Sequence, residues 1–171
     1  MKHFAWLAAA LILMVLVGCQ GHTATPPSTS DVPAVRSTPL SAAELHGLYD
    51  GKTWIWSDGG AYFAKSGGFE AWSGAGSKAA YATGFWWVND RGEMCFDGNW
   101  RTKEGANSAV TCFDHRKDGN VWFQRRSPTG AWYVFKSDPA EPGDEIDKLK
   151  PGDQIAADLH RLEKELGGSS P

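Results

Sequence analysis

Between Lys52 and Lys136, short aromatic and β-branched runs alternate with polar turns that carry glycine. That is the pattern of consecutive hairpins. It predicts eight strands, near residues 52–57, 61–65, 68–73, 82–89, 93–97, 109–114, 120–126 and 131–136. The turns include Asp58-Gly59-Gly60, Ser66-Gly67, Asp90-Arg91-Gly92 and Lys117-Asp118-Gly119, where glycine supplies the positive φ that tight turns need. Connections this short make neighbours antiparallel. The expected fold class is therefore mainly β: an antiparallel eight-stranded meander, either a small barrel or a sandwich.

A helix is expected on each side of the meander. Ser41 with Glu44 three residues on forms a capping box, Leu45, Leu48 and Tyr49 share one face, and Gly51 stops this short N-terminal helix. After the acidic, proline-bearing stretch 137–147, a C-terminal amphipathic helix is predicted from Gln154 to Leu166 with Asp153 as its cap. Ile155, Leu159, Leu162 and Leu166 make a single apolar stripe, and Gly167-Gly168 ends it. A lone helix of this length is marginal in water, so it should dock on the β domain or on a partner.

The start of the chain follows a different pattern. After Met1-Lys2-His3 an apolar run of 14 residues extends from Phe4 to Val17. A membrane-crossing helix takes roughly 20 residues, whereas a run of this length suits a signal peptide. The run ends Leu16-Val17-Gly18-Cys19, which resembles the lipobox of bacterial lipoproteins. The resemblance implies cleavage between Gly18 and Cys19 and lipidation of the Cys19 thiol. Gln20 then implies an outer-membrane destination facing the periplasm. Two or three acyl chains, at about 0.8 kcal/mol per buried methylene, make a stable anchor to membrane lipid. The expected organisation is a signal peptide over 1–18, a Pro/Ser/Thr-rich tether over 19–40, a β domain over 41–152 and a helical tail over 153–171.

Charge and cysteines narrow the classes. Loss of Lys2 leaves 16 basic against 20 acidic side chains, a net charge near −4, which argues against nucleic-acid binding. Cys95 and Cys112 remain, and an oxidising compartment predicts a disulfide between them. A loop of about 18 residues closed this way contributes roughly 3 kcal/mol in the chain-entropy model. A metal pair is the weaker alternative, since no Cys-x-x-Cys or histidine pair accompanies them, and no metal or cofactor is expected.

Catalytic signatures are missing: no Gly-x-Ser-x-Gly, no His-Glu-x-x-His, no Walker loop and no dinucleotide fingerprint. His115 beside Asp114 could form a dyad, but a solvated pair at a strand end is the better reading. Asp58, Glu70 and Asp97 could supply a carboxylate pair, though nothing in their spacing brings two together. Asp144, Glu145 and Asp147 do not fit a calcium loop and read as a plain acidic segment.

The aromatic content is the anomaly. Successive strand residues face opposite sides, so Trp54 and Trp56 share a face while Trp86 and Trp87 cannot. A sheet with one wet face would alternate with polar residues instead. One face must be core; the other is covered by helices, exposed to a partner or turned into a ligand cavity. Trp54, Trp56, Trp86, Trp87, Trp122 and Trp132 are the candidate binding aromatics.

Seven blocks in order carry a family resemblance: Leu48-Tyr49-x-Gly51-Lys-Thr-Trp-x-Trp, Asp58-Gly-x-x-Tyr-Phe, Phe69-x-Ala-Trp-Ser, Gly84-x-Trp-x-Val, Gly92-x-x-Cys95-Phe, Cys112-Phe-x-His115-Arg and Gly130-x-Trp-Tyr-Val-Phe-Lys. Over residues 43 to 152 the chain resembles the bacterial family known as domain of unknown function 995. That resemblance implies a small exported protein, chiefly of alpha-proteobacteria, and brings no activity or catalytic residue. The expected function is a membrane-anchored binding or inhibitor module for an envelope protein or a small apolar or glycan ligand. The alternatives are an envelope component docking through its C-terminal helix and, less favoured, a hydrolase.

Overall fold

The computed structural model describes residues 36–167. Gly18, Cys19 and most of the expected tether lie outside them. Within them the chain forms ten strands and two α-helices. In chain order these are β1 (Thr38–Pro39), α1 (Ala42–Tyr49), β2 (Lys52–Trp56), β3 (Gly59–Phe63), β4 (Gly68–Ser73), β5 (Ala80–Val88), β6 (Glu93–Thr102), β7 (Gly105–Asp118), β8 (Val121–Arg126), β9 (Tyr133–Lys136), β10 (Leu149–Pro151) and α2 (Ala156–Gly167).

The eight expected strands correspond to β2 through β9, and each pairs antiparallel with its neighbour in sequence. Two short strands were not expected. β10 adds antiparallel to β2 at one edge, and β1 pairs with the far end of β7. Packing against the sheet extends to residues before 41: Ser37 and Leu40 are already buried. The hairpin of β6 and β7 is also longer than the turn chemistry suggested, closing at Thr102 and Gly105. Polar residues such as Asn99, Asn107 and Ser108 hide its length, because paired backbone tolerates polar side chains on a wet surface.

The architecture is one sheet curled into a half-barrel. Its two edges, β9 and β10, do not pair; a 3-10 turn at Glu145–Lys148 packs against β9, β2 and β10 and fills the gap. The curl is visible in side chains that meet across the interior: the Trp54 ring on β2 lies 5.1 Å from that of Phe113 on β7 and 6.4 Å from Phe135 on β9. Glycine permits the curvature. An added Cβ on Gly84 of β5 would sit 1.8 Å from the Asp97 carbonyl oxygen of β6, so no other residue fits this crossing.

α1 closes one end of the half-barrel. Its capping box at Ser41 and Glu44 is formed on both sides. Leu45, Leu48 and Tyr49 drive into the core beside Phe63 and Trp86. Glu44 is tied to Lys117 of β7; that ammonium and the Ser41 amide hold its carboxyl down to a pKa of about 2.

α2 lies outside. Leu159 and Leu162 pack with Ala79 and Tyr81, with Trp72 and Leu166 at the margin. Asp153 accepts from the Ile155 and Ala156 amides, at 2.9 and 3.0 Å, and so caps the helix. None of the described helices is long and apolar enough to cross a membrane.

Cys95 and Cys112 face each other on β6 and β7 and are joined as a disulfide.

Candidate functional site

Strand parity sorts the aromatics. Trp54, Phe63, Phe69, Trp86, Phe96, Trp100 and Phe113 occupy the inner face. The same inner rows also carry Gly59, Ala61, Ala71, Ala82, Gly84 and Gly98. Large side chains thus face small ones, and the half-barrel does not fill. A cavity of about 340 Å³ remains, lined by Trp54, Trp56, Ala61, Phe63, Phe69, Ala71, Ser73, Phe96, Trp100, Thr111, Phe113, Arg126 and Glu145. The glycines set its width. A Cβ on Gly59 would lie 2.5 Å from the Trp56 indole nitrogen, and one on Gly98 3.1 Å from that of Trp100. Both indoles lie against the wall because those Cβ atoms are absent.

The deep part is aromatic and apolar. Phe69 and Phe96 stack with centroids 4.4 Å apart, and Phe63 packs against both at 5.9 and 6.2 Å. Two charged residues border the cavity. Glu145 accepts from the Trp54 indole N–H at 3.0 Å through one carboxylate oxygen and from Lys148 at 2.7 Å through the other. Arg126, opposite Phe113 in register, is solvent-exposed and makes no ion pair among the described residues.

One layer toward α1 lies a buried polar network. The Tyr49 hydroxyl is 2.8 Å from His115 Nε2 and accepts from the Gln124 amide at 2.9 Å. Tyr133 donates to the Gln124 carbonyl oxygen. His115 Nδ1 lies 3.3 Å from the Gly92 carbonyl oxygen. Burial pushes the His115 pKa down to about 4, the Gly92 carbonyl only partly opposing it. The imidazole is therefore neutral near pH 7: Nδ1–H donates to Gly92, and Nε2 accepts. Burial also raises the hydroxyl pKa values of Tyr49 and Tyr133. All four side chains remain uncharged, and the network seals the floor as a neutral plug.

The candidate aromatics separate. Trp54 and Trp56 line the cavity. Trp86 is buried below it, donating to the Ala64 carbonyl at 2.9 Å. Trp87 stands on the outer face, 42% exposed, near Phe85 and Val110 at 73% and 57%. Trp122 lies beneath the Lys136 ammonium and Trp132 beneath the Arg125 guanidinium, at 4.9 and 4.7 Å. Phe63, Phe69, Phe96, Trp100 and Phe113 are cavity residues that the reading of tryptophan pairs missed. The signal was present as small and large residues two apart, as in Gly59-x-Ala61-x-Phe63 and Phe69-x-Ala71-x-Ser73.

The solvated His115–Asp114 pair is corrected. β7 runs on to Asp118, so the two residues face opposite sides: His115 is 1% exposed, while Asp114 pairs with Arg125 at 2.8 Å outside. The acidic segment is also more than a plain loop. Asp144 is buried and accepts from the Ser137 amide and hydroxyl and the Glu141 amide, which hold its carboxyl below the usual range. Glu70 and Asp97 face outward from β4 and β6 with β5 between them, roughly 10 Å apart or more by strand spacing. Asp58 sits in the turn between β2 and β3. Glu93 lies close enough to Cys95 and Cys112 for a shared metal, but the two sulfurs are bonded to each other.

The fold and site define a class: a small antiparallel half-barrel with an aromatic-lined internal cavity. The family model described as "Protein of unknown function (DUF995)" matches residues 13–155. The chain belongs to that family. No curated protein and no solved structure matches it.

Proposed function

We propose that this chain is a binding module that holds a small apolar molecule inside its half-barrel and is presented on a membrane by lipid on Cys19. The observation that carries the binding half is the cavity of about 340 Å³, walled almost wholly by aromatic and small side chains. Pockets from about 300 Å³ upward, apolar with a few polar groups at one side, are the usual form of small-ligand sites. The apolar wall favours an apolar ligand over a glycan, which would leave its hydroxyls unpaired there. The anchoring half rests on Leu16-Val17-Gly18-Cys19 and the apolar run before it. Docking through the C-terminal helix has less support, because Leu159 and Leu162 are already buried on the chain's own sheet.

The test uses the mature chain carrying Cys19→Ser, which keeps it free of acyl chains, and the neutral dye N-phenyl-1-naphthylamine. Dye emission should rise and saturate at one site per chain while tryptophan emission is quenched. Thr111→Trp, which fills the cavity from its wall, should abolish the signal with the circular dichroism spectrum retained. A folded wild-type chain that binds neither the dye nor decanol would refute the reading.

A further inference from the structure

We infer that the ligand is a single-chain amphiphile with an anionic head, a carboxylate or a phosphate monoester, seated with its chain in the cavity and its head on Arg126. The inference rests on the cavity being a ligand site and adds the charge and polarity of what enters it.

Charge satisfaction decides the sign. Two charged side chains, Arg126 and Glu145, border the cavity. Glu145 is already engaged at both oxygens, by the Trp54 indole and by Lys148. An incoming cation would have to compete with an ammonium already in place. Arg126 is different: it makes no ion pair among the described residues, although Arg125 beside it in sequence is paired with Asp114. Period-two alternation explains the contrast. Arg125 faces outward with Asp114, whereas Arg126 follows Gln124 on the inner face and stands opposite Phe113. Its guanidinium therefore borders an apolar chamber with no ion-pair partner among the described residues. A planar fork of donors suits a carboxylate or phosphate, which it can hold by two parallel hydrogen bonds.

The depth order fits an amphiphile. Along β8 and β7 the inner face passes from Arg126 beside Phe113 to Gln124 beside His115. The Gln124 and His115 layer is neutral, with its donors and acceptors paired to one another, to Tyr49 and Tyr133 and to the Gly92 carbonyl. A head group gains nothing by descending, and an alkyl chain finds aromatic rings along the way. The head belongs at Arg126 and the chain inside.

Isothermal titration of the mature Cys19→Ser chain with decanoate, decyl phosphate, decanol and decyltrimethylammonium tests this, the ionic ligands below their micelle thresholds and decanol below its solubility limit. One anionic ligand at least should bind about tenfold tighter than decanol, the size of one charge-assisted hydrogen bond, and the cation should bind weakest. Which anion is tighter separates a fatty carboxylate from a phosphate monoester. Arg126→Gln should erase the anions' advantage over decanol; Glu145→Gln should not reverse the preference. If decanol matches the anions in the wild type, or if Arg126→Gln leaves their advantage intact, the inference is wrong while the cavity reading stands. If decanol and the neutral dye both fail to bind the folded chain, the cavity reading falls and this inference with it.

Discussion

At the residue scale, His115 controls how the core responds to acid. Its folded pKa near 4 lies below the ordinary 6.5, so the unfolded chain takes up a proton across that window and the folded chain does not. Stability therefore rises with pH between about 4 and 6.5, and the His115 share of the loss on acidification is about 3 kcal/mol in all. Urea midpoints at pH 7, 5.5 and 4.5 should fall in order, and His115→Gln should flatten the drop. An equal drop in wild type and variant would show that other groups carry it. This histidine was not legible in the sequence. It sits beside an aspartate near a turn signal, and polar neighbours read as solvent. Only pairing of β7 with β8 and β1 past residue 114 put the imidazole inside.

At the element scale, α2 is the clearest case of local pattern and tertiary contact agreeing. The stripe at Ile155, Leu159, Leu162 and Leu166 requires a cover, and the outer face offers Trp72 and Tyr81 on β4 and β5. Leu162 is almost fully buried there, so Leu162→Ala should cost about 2–4 kcal/mol, read as a lower denaturation midpoint. An effect below about 0.5 kcal/mol, the range of ordinary surface changes, would mean that the helix is not docked in solution. Docking also has an electrostatic cost. Glu70, under the helix, has its carboxyl pKa raised by burial first and then by Asp153 and Glu163. The turn glycines and the Ser41 cap made most element boundaries readable. β1 and β10 were not, because strands of two and three residues carry no period of their own.

At the scale of the whole molecule, the proposed anchor and the proposed binding site occupy separate parts of the chain. The lipidation proposed for Cys19 falls before the described residues, while the cavity is lined from β2, β3, β4, β6, β7, β8 and the Glu145 turn. Cys19→Ser should therefore move the protein from the membrane fraction to the soluble fraction of a fractionated envelope without changing dye binding by the cavity. A variant that still sediments with membranes would show that another part of the molecule holds it there.

What the sequence determined by itself is local: eight hairpin strands, the two capped helices, the rule that Trp86 and Trp87 part company, and the pairing of two cysteines. Each depends on residues a few positions apart or on the count of available partners. Which face of the sheet became the interior was decided only by the tertiary structure. Alternation says that two faces differ, but not which way the sheet bends. The bend came from crossings such as Gly84 over Asp97, and from contacts as remote as Trp54 with Phe135. The cavity, the buried His115 plug and the placing of Arg126 beside it all follow from that choice of side. They arise from residues far apart in sequence, and no local period records them.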